Sequence, residues 1–222
     1  GSPLGLIVSN GDVLCPPLFN KPSLVVKEDC TMSIERISCA HGMTVSQNGQ
    51  EVRFAADQYN ATKLGDAAAF YDLSYSGTLP QGERVVITLA GNTIKNIRQV
   101  SADEQIAILP VGVTLSLAKA DLPTKWAVDK TVHITLPQLD GVLHAIEAGP
   151  MLIDAGELAI DMDLEHWTHT NSIRTQAARL DYLDMRGPKI AAGINADGKL
   201  SVLAVNGRIR ESVGATHIDM AE

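Results

Sequence analysis

Ser212, Gly214 and Thr216 lead into Thr216-His217-Ile218-Asp219-Met220-Ala221, where a hydroxyl is followed three residues later by a carboxylate. That spacing is a capping box with Asp where Glu is usual, and it predicts a helix that starts at Thr216. The first turn of a helix presents N–H groups and partial positive charge, which is chemistry for holding a phosphate. Arg208 and Arg210 add cationic charge just upstream. Plain helix capping is the competing reading, and the two roles are compatible. Lys189 offers a further point charge, without the bidentate fork that Arg186, three residues earlier, would supply. Both cations also fit a solvated strand entrance. Asn206, in Val205-Asn206-Gly207-Arg208, can hydrogen-bond a hydroxyl but cannot act as a base. The same Asn-Gly pair reads equally well as a hairpin turn.

Other chemistry-bearing residues carry less. Asp161, Asp163, Glu165, His166 and His169 have ligand-like spacing, yet a metal would need several of them to converge. The stretch reads better as a solvated loop with Trp167 packed inward, and no metal or cofactor is expected. His144 and Glu147 could face one another only on a helix; their segment reads as extended, so the pair is given no role. No Gly-x-Ser-x-Gly elbow nominates a nucleophile. Cys15, Cys30 and Cys39 match no zinc or Cys-x-x-Cys spacing. One disulfide plus one free thiol and three reduced thiols both fit them.

The elements that would hold these residues are mostly strands. Ser23 to Lys27 reads as a strand and Thr31 to Ile37 as a second with period-two alternation, around a turn at Glu28-Asp29-Cys30. Met43 to Gln47 and Glu51 to Phe54 flank Asn48-Gly49, the pair that tolerates positive φ at both turn positions, which predicts a hairpin. A second hairpin is predicted from Arg84 to Val100 around Gly91-Asn92. Short apolar runs follow at Ile106 to Leu109, Val113 to Leu117 and Val132 to Leu136. Besides the helix at Thr216, only Ser172 to Asp184 reads as helical, with Ile173, Ala177, Leu180 and Leu183 on one stripe. Few helices and no βαβ alternation predict an α+β fold, one domain with a mostly antiparallel or mixed sheet.

Composition narrows the function classes. The 222 residues are 45% hydrophobic and 20% charged, as in an ordinary globular protein. A net charge of −8 argues against general binding to nucleic acid or to an anionic membrane, though a few local cations suffice for one phosphate. Aromatics at 4% argue against a long stacking platform. No apolar run is long enough for a membrane-spanning helix. Gly1-Ser2 reads as a tag remnant, so the residues leave localisation and oligomeric state open.

Four blocks then fall in a telling order: Ala148-Gly149-Pro150-Met151-Leu152-Ile153, Pro188-Lys189-Ile190-Ala191-Ala192-Gly193-Ile194, Ala204-Val205-Asn206-Gly207-Arg208, and Ser212 to Ala221. Together they resemble the phosphodiester glycosidase family, which includes the domain that uncovers mannose 6-phosphate by removing a phosphate-linked sugar. The resemblance implies hydrolysis of a glycosyl-phosphate diester, with a sugar-phosphate or glycan as substrate and an extracytoplasmic location. Departing phosphate is a stable anion, so the reaction needs a phosphate donor set and a carboxylate more than a general acid. Substrate binding then falls to Gly149, Pro150, Lys189, Gly207, Arg208, Ser212, Gly214 and Thr216, and the catalytic positions to Asn206 and Asp219. The resemblance also implies that these blocks converge on one side of the sheet.

Departures from the family pattern are Lys189-Ile190 for Arg-Thr and Asn206 for Asp, which favour the alternative of a non-catalytic carbohydrate- or envelope-binding module. Pro3 to Gly11 is similar, more loosely, to the stretch after the family's Asn-Gly-x-Phe-Phe segment. That segment and a downstream Asp-Gly-Gly-Gly-Ser block are expected outside residues 1–222, so the chain reads as one domain short at both ends.

Overall fold

A computed structural model describes residues 5–63, 68–109, 112–167 and 183–222. Every strand ladder among them is antiparallel. The described residues form sixteen strands, in a five-stranded sheet in the order β2-β1-β12-β3-β4, a four-stranded sheet β7-β10-β8-β9, a three-stranded sheet β11-β5-β6 and two separate hairpins, β13-β14 and β15-β16.

The first sheet comprises β1 (Ile7–Ser9), β2 (Asp12–Cys15), β3 (Pro22–Lys27), β4 (Met32–Arg36) and β12 (Val142–Glu147). The second comprises β7 (Ala69–Tyr71), β8 (Arg84–Ala90), β9 (Thr93–Val100) and β10 (Val113–Ala118). In the third, β5 (Met43–Gln47) and β6 (Gln50–Phe54) form the predicted hairpin beside β11 (His133–Thr135). Its turn residues Asn48 and Gly49 take φ of 52° and 75°, the left-handed pair that matches the twist of the flanking strands.

One apolar core joins the three sheets. Val8, Val13 and Val25 come from the first, Val85, Ile87, Leu89, Val113, Leu115 and Leu117 from the second, and Met43, Val45 and Ile134 from the third. Period two explains the assignment: Val85, Ile87 and Leu89 face this core, whereas Val86 packs on the opposite face with Ala69, Tyr71, Leu79 and Val100. Burial on both faces accounts for the near-continuous apolar run of β8.

The hairpin of β15 (Lys189–Ile194) and β16 (Leu200–Val205) lies beside β4 and keeps Ile190, Val202 and Leu203 largely exposed. Its turn falls at Asn195 to Lys199. The short hairpin of β13 (Ile153–Asp154) and β14 (Glu157–Leu158) follows the Gly149-Pro150 turn. Helix α1 (His217–Ala221) starts where predicted, with the reciprocal bonds of a capping box between Thr216 and Asp219. Among the described residues no helix is long and apolar enough to cross a membrane.

Two expectations change. Ile106 to Leu109 makes only an isolated bridge, Thr78 to Ala107. Asn206-Gly207 lies beyond β16 and closes no hairpin; the nearest tight return is Ile209 to Ser212. The helix predicted from Ser172 to Asp184 lies almost wholly outside the described residues. All three cysteines are free thiols, with Cys15 and Cys39 buried and Cys30 exposed.

Candidate functional site

Three charged side chains gather at one end of the five-stranded sheet because three adjacent strands start or stop there. β12 ends on Glu147, β3 begins just after Lys21, and β4 ends on Arg36. Register aligns them, with Glu147 opposite Ser23 and Pro22 opposite Arg36. Lys21 precedes the buried Ser23 and Val25 on one strand phase, and Glu147 follows the buried Ala145 on its own, so alternation turns both inward.

Burial controls the chemistry of this pair. It pushes the Glu147 carboxyl up from 4.5 to about 8; the Leu6 amide and Lys21 oppose the rise, while the charges of Asp72 and Glu165 add to it. Burial likewise pushes Lys21 down from 10.5 to about 8, against the pull of Glu147 and Glu165. Glu147 Oε2 accepts from the Leu6 amide at 2.9 Å, while Oε1 is buried with no hydrogen-bond partner among the described residues. Lys21 Nζ lies 3.8 Å from the centroid of the Trp167 ring and 4.9 Å from that of Phe19, where π faces partly replace lost water.

Glu165 is wholly buried beside them. Its Oε1 pairs with Arg36 Nη2 at 3.1 Å and accepts from the Met151 amide at 2.9 Å, and its Oε2 accepts from Trp167 Nε1 at 2.9 Å. Arg36 Nη1 also donates to the Asn20 carbonyl. The Gly149-Pro150 turn makes room: a Cβ on Gly149 would stand 2.6 Å from Glu165 Oε2 and 3.3 Å from the Trp167 ring. The solvated-loop reading of this stretch is therefore corrected at Glu165, although Trp167 packs inward as expected. Asp161 and Asp163 are exposed, and Asp161 Oδ1 caps the turn through the amides of Asp163 and Leu164. His169 lies outside the described residues. Among those described, no group of three or more His, Cys, Asp or Glu could hold a metal.

A cavity of about 190 Å3 adjoins this cluster, with Phe19, Asn20, Tyr59, Asp72, Ser74 and His166 in its wall. Asp72 is buried; its Oδ2 accepts from the Tyr59 hydroxyl at 2.6 Å, and its Oδ1 from Asn60 Nδ2 at 3.2 Å and from the Ser74 amide at 2.9 Å and hydroxyl. Burial raises its pKa, and the bonds from Ser74, Tyr59 and Asn60 hold it back. Burial and the Asp72 charge also push the Tyr59 hydroxyl up, so it stays a donor.

The C-terminal blocks form a second cluster. Lys189 Nζ donates to the Met185 carbonyl at 3.1 Å, and Arg208 Nη2 touches Met185 Sδ at 3.5 Å. Neither cation forms an ion pair among the described residues, and burial together with the nearby Arg208 charge lowers the Lys189 pKa. Arg186 is engaged elsewhere, pairing with Asp219 at 2.7 Å and donating to the Gly214 carbonyl. Ser212 Oγ donates to the Asn206 carbonyl at 2.7 Å and accepts from the Gly214 amide. Gly207 and Gly214 pack closely on Gly187, which bridges to Ala215.

Lys189, Asn206, Gly207, Arg208, Ser212, Gly214, Thr216 and Asp219 thus meet in one region. Gly149 instead lies against Glu165, Trp167 and Pro22, the groups that a Cβ at that position would meet, and β15 beside β4 is the link between the two regions. The donors expected to face a phosphate at α1 are occupied: the amides of Gly214, Ala215, Thr216, His217 and Asp219 each have an acceptor within the chain.

A family model described as Phosphodiester glycosidase matches residues 66–222, more than half of the chain. The chain belongs to the phosphodiester glycosidase family. No curated protein matches it at a significant level. A crystal structure of a hypothetical protein from Synechocystis has a similar fold, with a TM-score of 0.50 and 17% identity over 99% of this chain. The chain spans 40% of the length of that protein.

Within the phosphodiester glycosidase match lie Asp72, Glu147, Glu165 and His166 together with all the C-terminal blocks, while Lys21 and Arg36 precede it. Sequence reasoning missed Lys21, Asp72 and Glu147 as site residues. The available signal was a lone charge on the apolar phase of a strand, or inside an apolar run such as Phe70-Tyr71-Asp72-Leu73.

Proposed function

We propose that this chain hydrolyses a glycosyl-phosphate diester and releases the sugar from a phosphorylated glycan or an envelope polymer. Family membership supports the reaction class. The observation that carries the reading is Asp72, a buried carboxylate in the wall of a cavity that also holds hydroxyls, an amide, aromatic rings and an imidazole. A cavity of about 190 Å3 is smaller than the pockets of ~300 Å3 and above that take drug-sized ligands, and it suits one sugar ring.

In this reading Asp72 stabilises the oxocarbenium-like transition state or activates water, and Tyr59, Ser74 and Asn60 hold it in place. The phosphate leaves as a stable anion, drawn by the charge of buried Lys21. Lys189 and Arg208, two cations that form no ion pair among the described residues, bind the far side of the diester. Gly149, Pro150, Gly207, Ser212, Gly214 and Thr216 shape the backbone that meets the substrate, Asn206 hydrogen-bonds a sugar hydroxyl, and Asp219 ties Arg186 to the start of α1, away from the diester. A second reading, a carbohydrate- or envelope-binding module on the same fold, draws on Asn206 in place of a carboxylate and on Asp219 being tied to Arg186 and Thr216.

The test is sugar release from a panel of glycosyl phosphodiesters by the wild type and Asp72→Asn. Hydrolysis should fall about 100- to 10,000-fold in the variant with binding retained. Binding without turnover in the wild type would instead favour the module.

A further inference from the structure

We propose that Glu165 is a positioning residue that holds the His166 imidazole in the cavity wall, acting on the substrate through its neighbour rather than by contact. The inference rests on the reading of this cavity as the sugar site. Glu165 has no exposed surface and does not line the cavity, so it does not touch a ligand there. What its two oxygens do is join three segments: the end of β4 through Arg36, the Gly149-Pro150 turn through the Met151 amide, and the 162–167 turn through the Trp167 indole. A sealed, charged carboxylate is costly unless its lone pairs are filled, and here the three donors come from three separate segments.

His166 sits between two anchored residues. Its φ of 55° is left-handed, a region that few residues with side chains occupy and that persists when the surroundings over-determine it. On one side Glu165 is fixed as described; on the other, Trp167 is buried beneath Lys21 Nζ. The amides of His166 and Trp167 donate to Asp163 and Met162, which closes the turn. The opposite wall is tied to the same hub, because Asn20 Nδ2 donates to the Leu164 carbonyl while the Asn20 carbonyl accepts from Arg36. The Phe19 ring then meets the imidazole edge-on with centroids 6.4 Å apart. Flanked in this way, the imidazole shares a wall with Asp72, Tyr59 and Ser74.

Histidine-labelled NMR reads this placement without any turnover. The wild type should give a cross-peak between the rings of His166 and Phe19. Glu165→Gln keeps the shape but sets an amide NH2 among three donors; it should melt cooperatively, lose that cross-peak, and lower kcat on a glycosyl phosphodiester about a hundredfold with KM little changed. Trp167→Phe removes the indole donor and should lose the same cross-peak, which covers the case of a Gln variant that does not fold. A folded variant of either kind that keeps the cross-peak at wild-type intensity overturns the proposal, whatever its activity. Loss of the cross-peak in a protein whose wild type cleaves no glycosyl phosphodiester leaves the positioning role standing and sinks the proposed function.

Discussion

Lys21 Nζ stands 3.8 Å from the centroid of the Trp167 ring, although 146 residues separate them in sequence. The contact places a cation in a buried site that Glu147 and Glu165 influence electrostatically. Stability and reactivity at this end of the sheet should therefore depend on how protons are shared there.

Stability should fall as pH rises from about 5 to 8. Glu147 titrates near 8 when folded and near 4.5 when unfolded, so within that window the folded chain holds a proton that the unfolded chain has released, and raising the pH favours unfolding. From 8 to 10.5 the sign reverses for Lys21, which is the less protonated in the fold, and stability should recover. Urea midpoints across this range should reach their minimum near pH 8. Glu147→Gln should remove the fall, and Lys21→Met the recovery.

Gly149→Ala should destabilise the chain by about 2–4 kcal/mol, because the new Cβ meets Glu165 Oε2 at 2.6 Å and forces a buried, paired carboxylate to move. For a domain of this size that lowers the melting temperature by about 5–15 °C. Gly193→Ala is the control, since an added Cβ there meets nothing within 4 Å. Equal melting temperatures for the two variants would contradict the close packing.

Arg208→Ala and Lys189→Ala should each weaken binding of a phosphate diester about tenfold by calorimetry, the loss of one charge-assisted contact. The effect should shrink in high salt. Arg186→Ala should leave that affinity unchanged, because Arg186 is committed to Asp219 and the Gly214 carbonyl.

Thr216→Ala should cost about 1 kcal/mol, the usual loss of an N-cap, since Thr216 Oγ1 accepts from the Asp219 amide at 3.0 Å. Inorganic phosphate should bind the variant as it binds the wild type, because the neighbouring amides are already satisfied within the chain. A selective loss of phosphate affinity would restore the helix start as an anion site.

Local rules made much of this chain legible. Asn48-Gly49 specified a turn, alternation specified β4, the apolar runs around Gly91-Asn92 specified the hairpin of β8 and β9, and the Thr216–Asp219 spacing specified the cap, because each depends on residues a few positions apart. The buried cluster was not legible in that way. Arg36 and Glu165 are partners across 129 residues, and Leu6 and Glu147 across 141, so no window of sequence contains both halves of either contact. Glu165 looked like one acid in a solvated loop since its donors come from β4, from the turn after β12 and from an indole two residues away. The C-terminal blocks were legible as a group through family resemblance, whereas the engagement of Arg186 with Asp219 depends on how the chain folds back between them.

The clearance at Gly149 also has a consequence for how relatives of this chain diverge. A position without a side chain fixes the length of the acid sixteen residues downstream, so the two sites should evolve as one unit. A relative with Ala at 149 should carry Asp, or no acid, at 165, and where the acid is lost the cation at 36 and the indole at 167 should drift with it. The absence of a single methyl group thereby sets the inheritance pattern of four positions that are scattered along the chain.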